Sequence, residues 1–240
     1  MSTLIVTGTD TEIGKTVTTA AVAALALAQG RTVAVLKPAQ TGVSGDEPGD
    51  VAEVRRLAGA DVTGSELARF PEPLAPATAA RRAGRAPVRP REVERAARKL
   101  AETHDLVVIE GAGGLLVRLD DAGSTLADVA RLLDASVLVV ARAGLGTLNA
   151  ATLTTEALRT RGLTCLGIVF GSFPAAPDLA TRCNLADMPE VAGAPLLGAL
   201  PEGAAALPPA DFRAAAAGWL APPLSGTWDP AAFTATLRER

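Results

Sequence analysis

The chain contains no tyrosine, and aromatic residues make up only 3% of its 240 positions. A protein that stacks nucleic-acid bases on its surface needs more aromatic faces than this. Positive charge is not in surplus either. With 23 Lys and Arg against 26 Asp and Glu, the formal net charge is −3, so no broad basic field draws DNA, RNA or anionic lipid. Cysteine occurs twice, at Cys165 and Cys183, without the spacing of a zinc site. Two free thiols in a reducing cytosol are expected. The one histidine, His104, falls at a predicted helix end, where a dipole partner is expected rather than a catalyst. No uncharged apolar run reaches the ~20 residues needed to span a bilayer. Met1-Ser2-Thr3 leads into a strand without a basic segment, so no signal peptide is expected. The expectation is a cytoplasmic protein with neither nucleic acid nor membrane as partner.

What the chain does have is aliphatic material. Hydrophobic residues make up 48% of it, many of them alanine. Short apolar runs recur at 3–8, 32–37, 105–111, 136–142, 165–171 and 195–200. They are rich in Val, Ile and Leu and alternate little, as strands covered on both faces do. Helical patterns at 14–29, 90–103, 124–133 and 147–161 lie between most of them. Such alternation predicts an α/β fold: a mostly parallel central sheet with helices on both faces. Pro90 opens one helix, and Thr125 with Asp128 forms a capping-box pattern before another. The segment 38–90, heavy in Pro and Arg, reads as an insertion after the second strand, part helix and part active-site loop. Arg81, Arg82 and Arg85 within it read as a solvated face. The tail from Leu207 reads as a loop plus terminal helices, with Trp219 and Trp228 packing it onto the body. With no repeat and no second core visible, residues 1–240 read as one P-loop NTPase-like domain.

The motif that carries chemistry is "VTGTDTEIGKT", starting at Val6. An apolar strand precedes Gly8 and an Ala-rich helix follows Gly14, the context a phosphate-binding loop requires. Backbone N–H groups and the helix N-terminus point at an anion there. Lys15 is placed to reach the β- and γ-phosphates, and the Thr16 hydroxyl to ligate Mg²⁺. Five residues, Thr9 to Ile13, separate the two glycines, one more than the usual pattern has, and one of them is the acid Glu12.

A second metal ligand is expected from another strand end. "LVVIEGAGG" supplies Glu110 at the carboxyl edge of a parallel strand, where ligands bind in such sheets. Gly111, Gly113 and Gly114 permit close backbone approach behind it. "LKPAQTG" places Lys37 at the end of the second strand. A lysine there either holds a transferring phosphoryl group or carboxylate, or simply pairs with an acid. The residue types leave both open.

Taken together, "GTDTEIGKT", "KPAQTG", "EGAGGLLV" and "LGTLN" resemble the dethiobiotin synthetase family in order and spacing, over most of the chain. The long loop with Glu12 is itself a mark of that family. The resemblance implies an ATP-dependent cyclo-ligase that converts 7,8-diaminononanoate, CO₂ (or bicarbonate) and MgATP into dethiobiotin, ADP and phosphate, in biotin biosynthesis. It implies Lys37, Lys15 and Thr11 as catalytic residues, and Mg²⁺ held by Thr16, Asp50 and Glu110. Asp46 and Glu47 lie near Asp50, but Asp50 directly precedes the helical "VAEVRRLAG", as the family's acid does. The nucleotide would contact Glu12, Ile13, Gly14, Lys15, Thr16 and Val17, then Asp50, Glu110, Gly111, Ala112 and Gly113. On the base side it would meet Gly171 and Ser172, and Pro201, Glu202 and Gly203 opposite. The substrate would contact Thr41. Its carboxylate would meet Gly146, Thr147, Leu148 and Asn149 at a helix start. In the family that helix start lies at a subunit interface, so a homodimer is expected. Glu12 either attracts or deprotonates an amine-bearing substrate, or turns into solvent or pairs with a Lys or Arg.

One departure stands out. Many family members place an Asn after the strand matching "GIVFG" to read the adenine edge, whereas this chain has Gly171-Ser172-Phe173. A hydroxyl cannot make the paired donor–acceptor contact of an amide, so weak base selectivity is expected. Two rival readings fit less well. Partitioning or septum-positioning ATPases carry a signature lysine five residues before the loop lysine, where this chain has Asp10, and their membrane-binding basic helix has no counterpart in the tail. Cobyrinic-acid-type synthetases carry a glutaminase domain for which this chain has no room.

Overall fold

The computed structural model describes residues 2–238. Seven strands form one sheet: β1 (Ser2–Gly8), β2 (Val33–Thr41), β3 (Thr63–Phe70), β4 (Leu106–Gly114), β5 (Ser136–Ala141), β6 (Cys165–Phe173) and β7 (Leu196–Pro201). Their order across the sheet is β3-β2-β4-β1-β5-β6-β7, and every neighbouring pair is parallel. The expected α/β architecture is therefore the observed one. The unalternating runs explain it. Val33 to Ala39, Leu106 to Ile109 and Val137 to Ala141 are buried at every position, because helices cover both faces of the sheet.

Chain order reverses at β1. After β1 the chain builds β2, β3 and β4 on one side, then β5, β6 and β7 on the other. The crevice at such a reversal, beyond the carboxyl ends of the strands, is where open parallel sheets bind ligands. Helix α1 (Lys15–Ala28) leaves that point and runs beneath the sheet. From Thr18 to Ala26 it is buried on all sides. Only an Ala-rich helix is slim enough to lie there unstrained, between the sheet, α2 (Asp50–Ala58) and α8 (Pro209–Ala215) of the tail.

The expectation for 38–90 needs correction. Besides α2 and α3 (Pro76–Arg82), the segment contributes the edge strand β3. Only Phe70 of β3 is buried, so "TGSELARF" carries no apolar stripe to announce it. Helix α7 (Leu179–Ala192) has no counterpart among the helical patterns of the sequence, since Pro189 lies within it and Ala dilutes its pattern. Its N-terminus is capped by the Asp178 carboxylate, which accepts from Thr181 N at 2.7 Å. The other helices fall where expected: α4 (Pro90–Ala101), α5 (Leu126–Leu133) and α6 (Thr147–Arg159). Asp128 accepts from Thr125 N at 2.9 Å, one arm of the predicted capping box.

His104 closes α4, its Nδ1 donating to the Leu100 carbonyl at 2.8 Å. Arg81 and Arg82 form exposed pairs with Asp121 and Glu72, as a solvated face does. In the tail, Trp228 is buried and Trp219 stacks edge-on against Phe212, 5.2 Å between ring centroids. The terminal helix α9 (Pro230–Arg238) brings Phe233 onto Phe173 at 5.2 Å. Both cysteines are free. Among the described residues, no helix is long and apolar enough to cross a membrane.

Candidate active site

A cleft of about 1030 Å³ opens over the carboxyl ends of β1, β2 and β4. Its floor is the loop after β1. Thr9 N donates to the Val140 carbonyl of β5 at 2.9 Å, pinning the loop's start. Gly14 then begins α1 with φ 91° and no capping side chain, and the first turn holds no acid. The first amides of the helix are left open toward the cleft, as an anion site requires. The extra residue of the long loop is accommodated at Glu12, which adopts φ 54°. A left-handed conformation costs a non-glycine residue about 1–2 kcal/mol. Glu12 is exposed, lines the cleft and forms no ion pair among the described residues.

Behind the loop, backbone meets backbone. A Cβ on Gly14 would stand 2.2 Å from the Gly171 carbonyl oxygen, and a Cβ on Gly171 would stand 2.1 Å from that of Ile13. Both values are far inside contact distance, so the end of β6 supports the phosphate loop only because both residues lack side chains. Gly171 is therefore a buttress of the loop, while Ser172 beside it is exposed. Across from it, Glu202 N donates to the Phe173 carbonyl at 2.8 Å, which keeps exposed Pro201, Glu202 and Gly203 next to the end of β6.

The opposite wall is made of charges. Lys37 is buried, and its Nζ contacts Asp50 and lies 2.9 Å from Glu110 Oε1 and 3.0 Å from the Gly111 carbonyl. The Thr16 hydroxyl donates to the same Glu110 oxygen at 2.9 Å. Lys15, also buried, turns its Nζ onto the Asp10 carbonyl of its own loop at 2.8 Å. Two lysines and two carboxylates thus converge at the mouth of the sheet, with opposite electrostatic consequences. Burial by itself would discharge Lys37, but Glu110 and Asp50 outweigh it and hold its pKa above the ordinary lysine value. The two carboxylates thus favour the charged form of Lys37. Burial, then the charge of Lys37, pull Lys15 below its ordinary value. An anion between the two lysines relieves that strain. Asp50 also resists its burial and is held below the ordinary carboxylate range, chiefly by Lys37.

The donors suit a hard divalent cation. Thr16, Asp50 and Glu110 offer only oxygen, and Mg²⁺ is usually held by one or two carboxylates plus substrate phosphates. Among the described residues Glu110 Oε2 is buried without a hydrogen-bond partner, a cost of about 1–3 kcal/mol unless a ligand takes it up. The residues present therefore fit Mg²⁺.

Thr11 to Val17, Lys37, Thr41, Asp50, Glu110, Ala112 and Gly113 all line this cleft. Gly111 is joined to it through Lys37. Gly146, Thr147, Leu148 and Asn149 start α6 outside it. They connect to the loop only indirectly: Thr147 Oγ1 donates to the Arg142 carbonyl at 2.6 Å, and Arg142 pairs with Asp10 at 3.1 Å. The sequence reading missed Gln40, which lies in the cleft wall between Lys37 and Asp50. It also missed Leu74, Leu116 and Val117, apolar residues of the same cleft. Gln40 lies inside "KPAQTG", but nothing in its type or spacing announces a partner ten residues away at the start of α2.

Known proteins resemble the chain in sequence and in fold. An AAA domain family matches residues 2–209. The chain is 69% identical to an ATP-dependent dethiobiotin synthetase of Streptomyces coelicolor over 233 residues, 97% of this chain and 98% of that one. It is 70% identical to one from Saccharopolyspora erythraea over 228 residues, 95% and 99% of the two chains. A ParA family ATPase from Chlorobium tepidum superposes with a TM-score of 0.56 over 88% of this chain and 90% of that one, at 16% identity. That distant likeness concerns the fold alone. On sequence and architecture together, the chain belongs to the dethiobiotin synthetase family of P-loop proteins.

Proposed function

We propose that this protein closes the cyclic urea of dethiobiotin from 7,8-diaminononanoate, CO₂ and ATP, in biotin biosynthesis. The observation that carries the reading is Lys37, a second buried ammonium facing the phosphate-loop lysine across one cleft. A simple ATPase has one anion to hold. This reaction has two, a triphosphate and a carbamate.

The chemistry runs in three steps. One amine of the substrate attacks CO₂ and loses a proton, giving a carbamate anion. A carbamate oxygen attacks the γ-phosphorus, and ADP leaves with the electrons of the broken bond. The second amine then attacks the carbonyl carbon of the resulting carbamic–phosphoric anhydride, loses a proton and expels phosphate, closing the ring. Lys15 and the first amides of α1 hold the β- and γ-phosphates, and Lys37 holds the carbamate in line with the γ-phosphate. Thr11 and Thr41 orient the diamine from either side of the cleft. Thr16, Asp50 and Glu110 would hold Mg²⁺, which when bound neutralises charge developing on the phosphoryl oxygens. The chain of the substrate lies against Leu74, Leu116 and Val117.

A homodimer fits the placement of the remaining residues. Gly146, Thr147, Leu148 and Asn149 lie outside the cleft of their own chain, and the adjoining Leu145 is 90% exposed. In a homodimer the start of α6 from one protomer meets the substrate carboxylate at the other's cleft. Incubation with diaminononanoate, bicarbonate and MgATP, read by mass detection of dethiobiotin, tests the reaction, and sedimentation of the same sample tests the dimer. Folded protein that makes no product overturns the first reading, and an active monomer overturns the second.

A further inference from the structure

Asp50 reaches Lys37 from an awkward position. It is the first residue of α2, and the loop before it, residues 43–48, is mostly exposed. The N-cap is Gly49, in extended backbone and without a side chain to close the helix. The missing cap comes from another element. Gln40, near the end of β2, is 5% exposed and turns its Oε1 onto Asp50 N, which donates to it at 2.8 Å. Its Nε2 donates to the Thr41 carbonyl at 3.3 Å, which fixes which way the amide faces. Gly49 allows the approach: a Cβ there would stand 2.7 Å from Gln40 Oε1 and 2.8 Å from Cδ.

We propose that Gln40 is a positioning residue for the divalent-cation site. It caps α2 from β2 and so fixes the rotation of the first helical turn. That rotation decides whether the Asp50 carboxylate faces Lys37 and Glu110 or swings into solvent, since Asp50 follows an exposed loop and has no other rigid tether at its backbone N–H. The inference rests on the reading of Thr16, Asp50 and Glu110 as the metal-holding set. It adds that the set is assembled by an uncharged amide of the cleft wall, which accepts from Asp50 N and donates to the Thr41 carbonyl. A merely space-filling Gln40 would affect stability and nothing at the metal.

The experiment is a Mn²⁺ titration of the full chain in the presence of ADP, read from the spin-resonance signal of free Mn²⁺, beside metal-free ADP affinity by calorimetry. Gln40→Met removes the acceptor and keeps the length of the side chain. Gly49→Ala leaves Gln40 in place but pushes its amide away, so either variant alone suffices if the other does not fold. The Mn²⁺ dissociation constant is expected to rise about tenfold in each, the loss of one hydrogen bond to a structured backbone group. Metal-free ADP affinity is expected to stay unchanged. Unaltered Mn²⁺ binding in a folded variant overturns the role of Gln40 alone, as does a parallel fall of metal and metal-free ADP binding. Failure of the wild-type protein to bind Mn²⁺ with ADP overturns the metal assignment and this proposal together.

Discussion

On one wall of the cleft, the loop from Thr9 to Gly14 rests on Gly171 through backbone contacts alone. On the other, Lys37, Asp50 and Glu110 meet through charge. The first wall is set chiefly by backbone, with the Asp10–Arg142 ion pair at its exposed edge. Two glycines, Gly14 and Gly171, let strand and loop approach to a distance that no Cβ tolerates. The second wall is adjustable by design. Under the proposed function, substrate and metal would engage the same groups that now hold one another, so binding would exchange one set of contacts for another. Rigid geometry recognises phosphate, which is the same in every nucleotide. Exchangeable charge suits the carbamate, which exists only during turnover.

The largest expected effect comes from removing the cation on the adjustable wall. Lys37→Ala is expected to cut dethiobiotin formation by about 10³-fold or more, the scale of a lost electrostatic stabiliser in a dry site. Circular dichroism should still report a folded chain. Stability should fall by about 3 kcal/mol, because Glu110 and Asp50 are left facing each other. ADP binding without metal should be nearly unaffected, since Lys15 and the helix amides remain. Retained turnover would remove Lys37 from its role. Lost ADP binding would mean that the two walls are not separable.

A smaller effect is expected from crowding the rigid wall. In Gly171→Ala the new methyl group would lie 2.1 Å from the Ile13 oxygen and 2.5 Å from Val140 Cγ1, so the loop must shift by about 1 Å. A displacement of that size at a positioned reactant costs up to about 10²-fold. Metal-free ADP affinity should fall along with kcat/KM, the reverse of the Lys37 pattern. Wild-type ADP affinity in this variant would show that the loop yields, and the contrast between the walls would not hold.

The rigid wall is also the one that sequence displayed best. Gly8, Gly14, Lys15 and Thr16 signal their role because backbone geometry and phosphate chemistry admit few other residues at fixed spacing. Glu110 was legible from its place after an unalternating buried strand. Lys37 was only half legible: its position at a strand end was plain, but its partners are 13 and 73 residues away and come together only through the sheet order. Gln40 and the edge strand β3 were not legible at all. An amide that caps a helix from another strand has no local signature, and an edge strand with one buried residue has no periodicity to read. The contact of Gly171 with Gly14 was hidden for a related reason, since a glycine in a strand looks the same whether it faces solvent or another backbone.

The smallest effect concerns the base, which lies beyond the rigid wall. Gly171 cannot bear a side chain without displacing the loop, and Ser172 is exposed and offers one hydroxyl. A site that discriminates strongly does so by leaving its own buried polar groups unpaired against the wrong ligand. The strand end at 171–173 holds no buried amide to be left unpaired. ATP, CTP and GTP are therefore expected to support turnover with kcat/KM values within about tenfold of one another. Ser172→Asn is expected to widen that ratio toward ATP by adding a paired donor and acceptor, without changing metal-free affinity for inorganic triphosphate, because the loop is untouched. A preference for ATP of about a hundredfold in the wild-type protein would place base recognition in another element. The exposed residues Pro201 to Gly203 are then the ones to examine, because Glu202 N ties them to the Phe173 carbonyl at the end of β6.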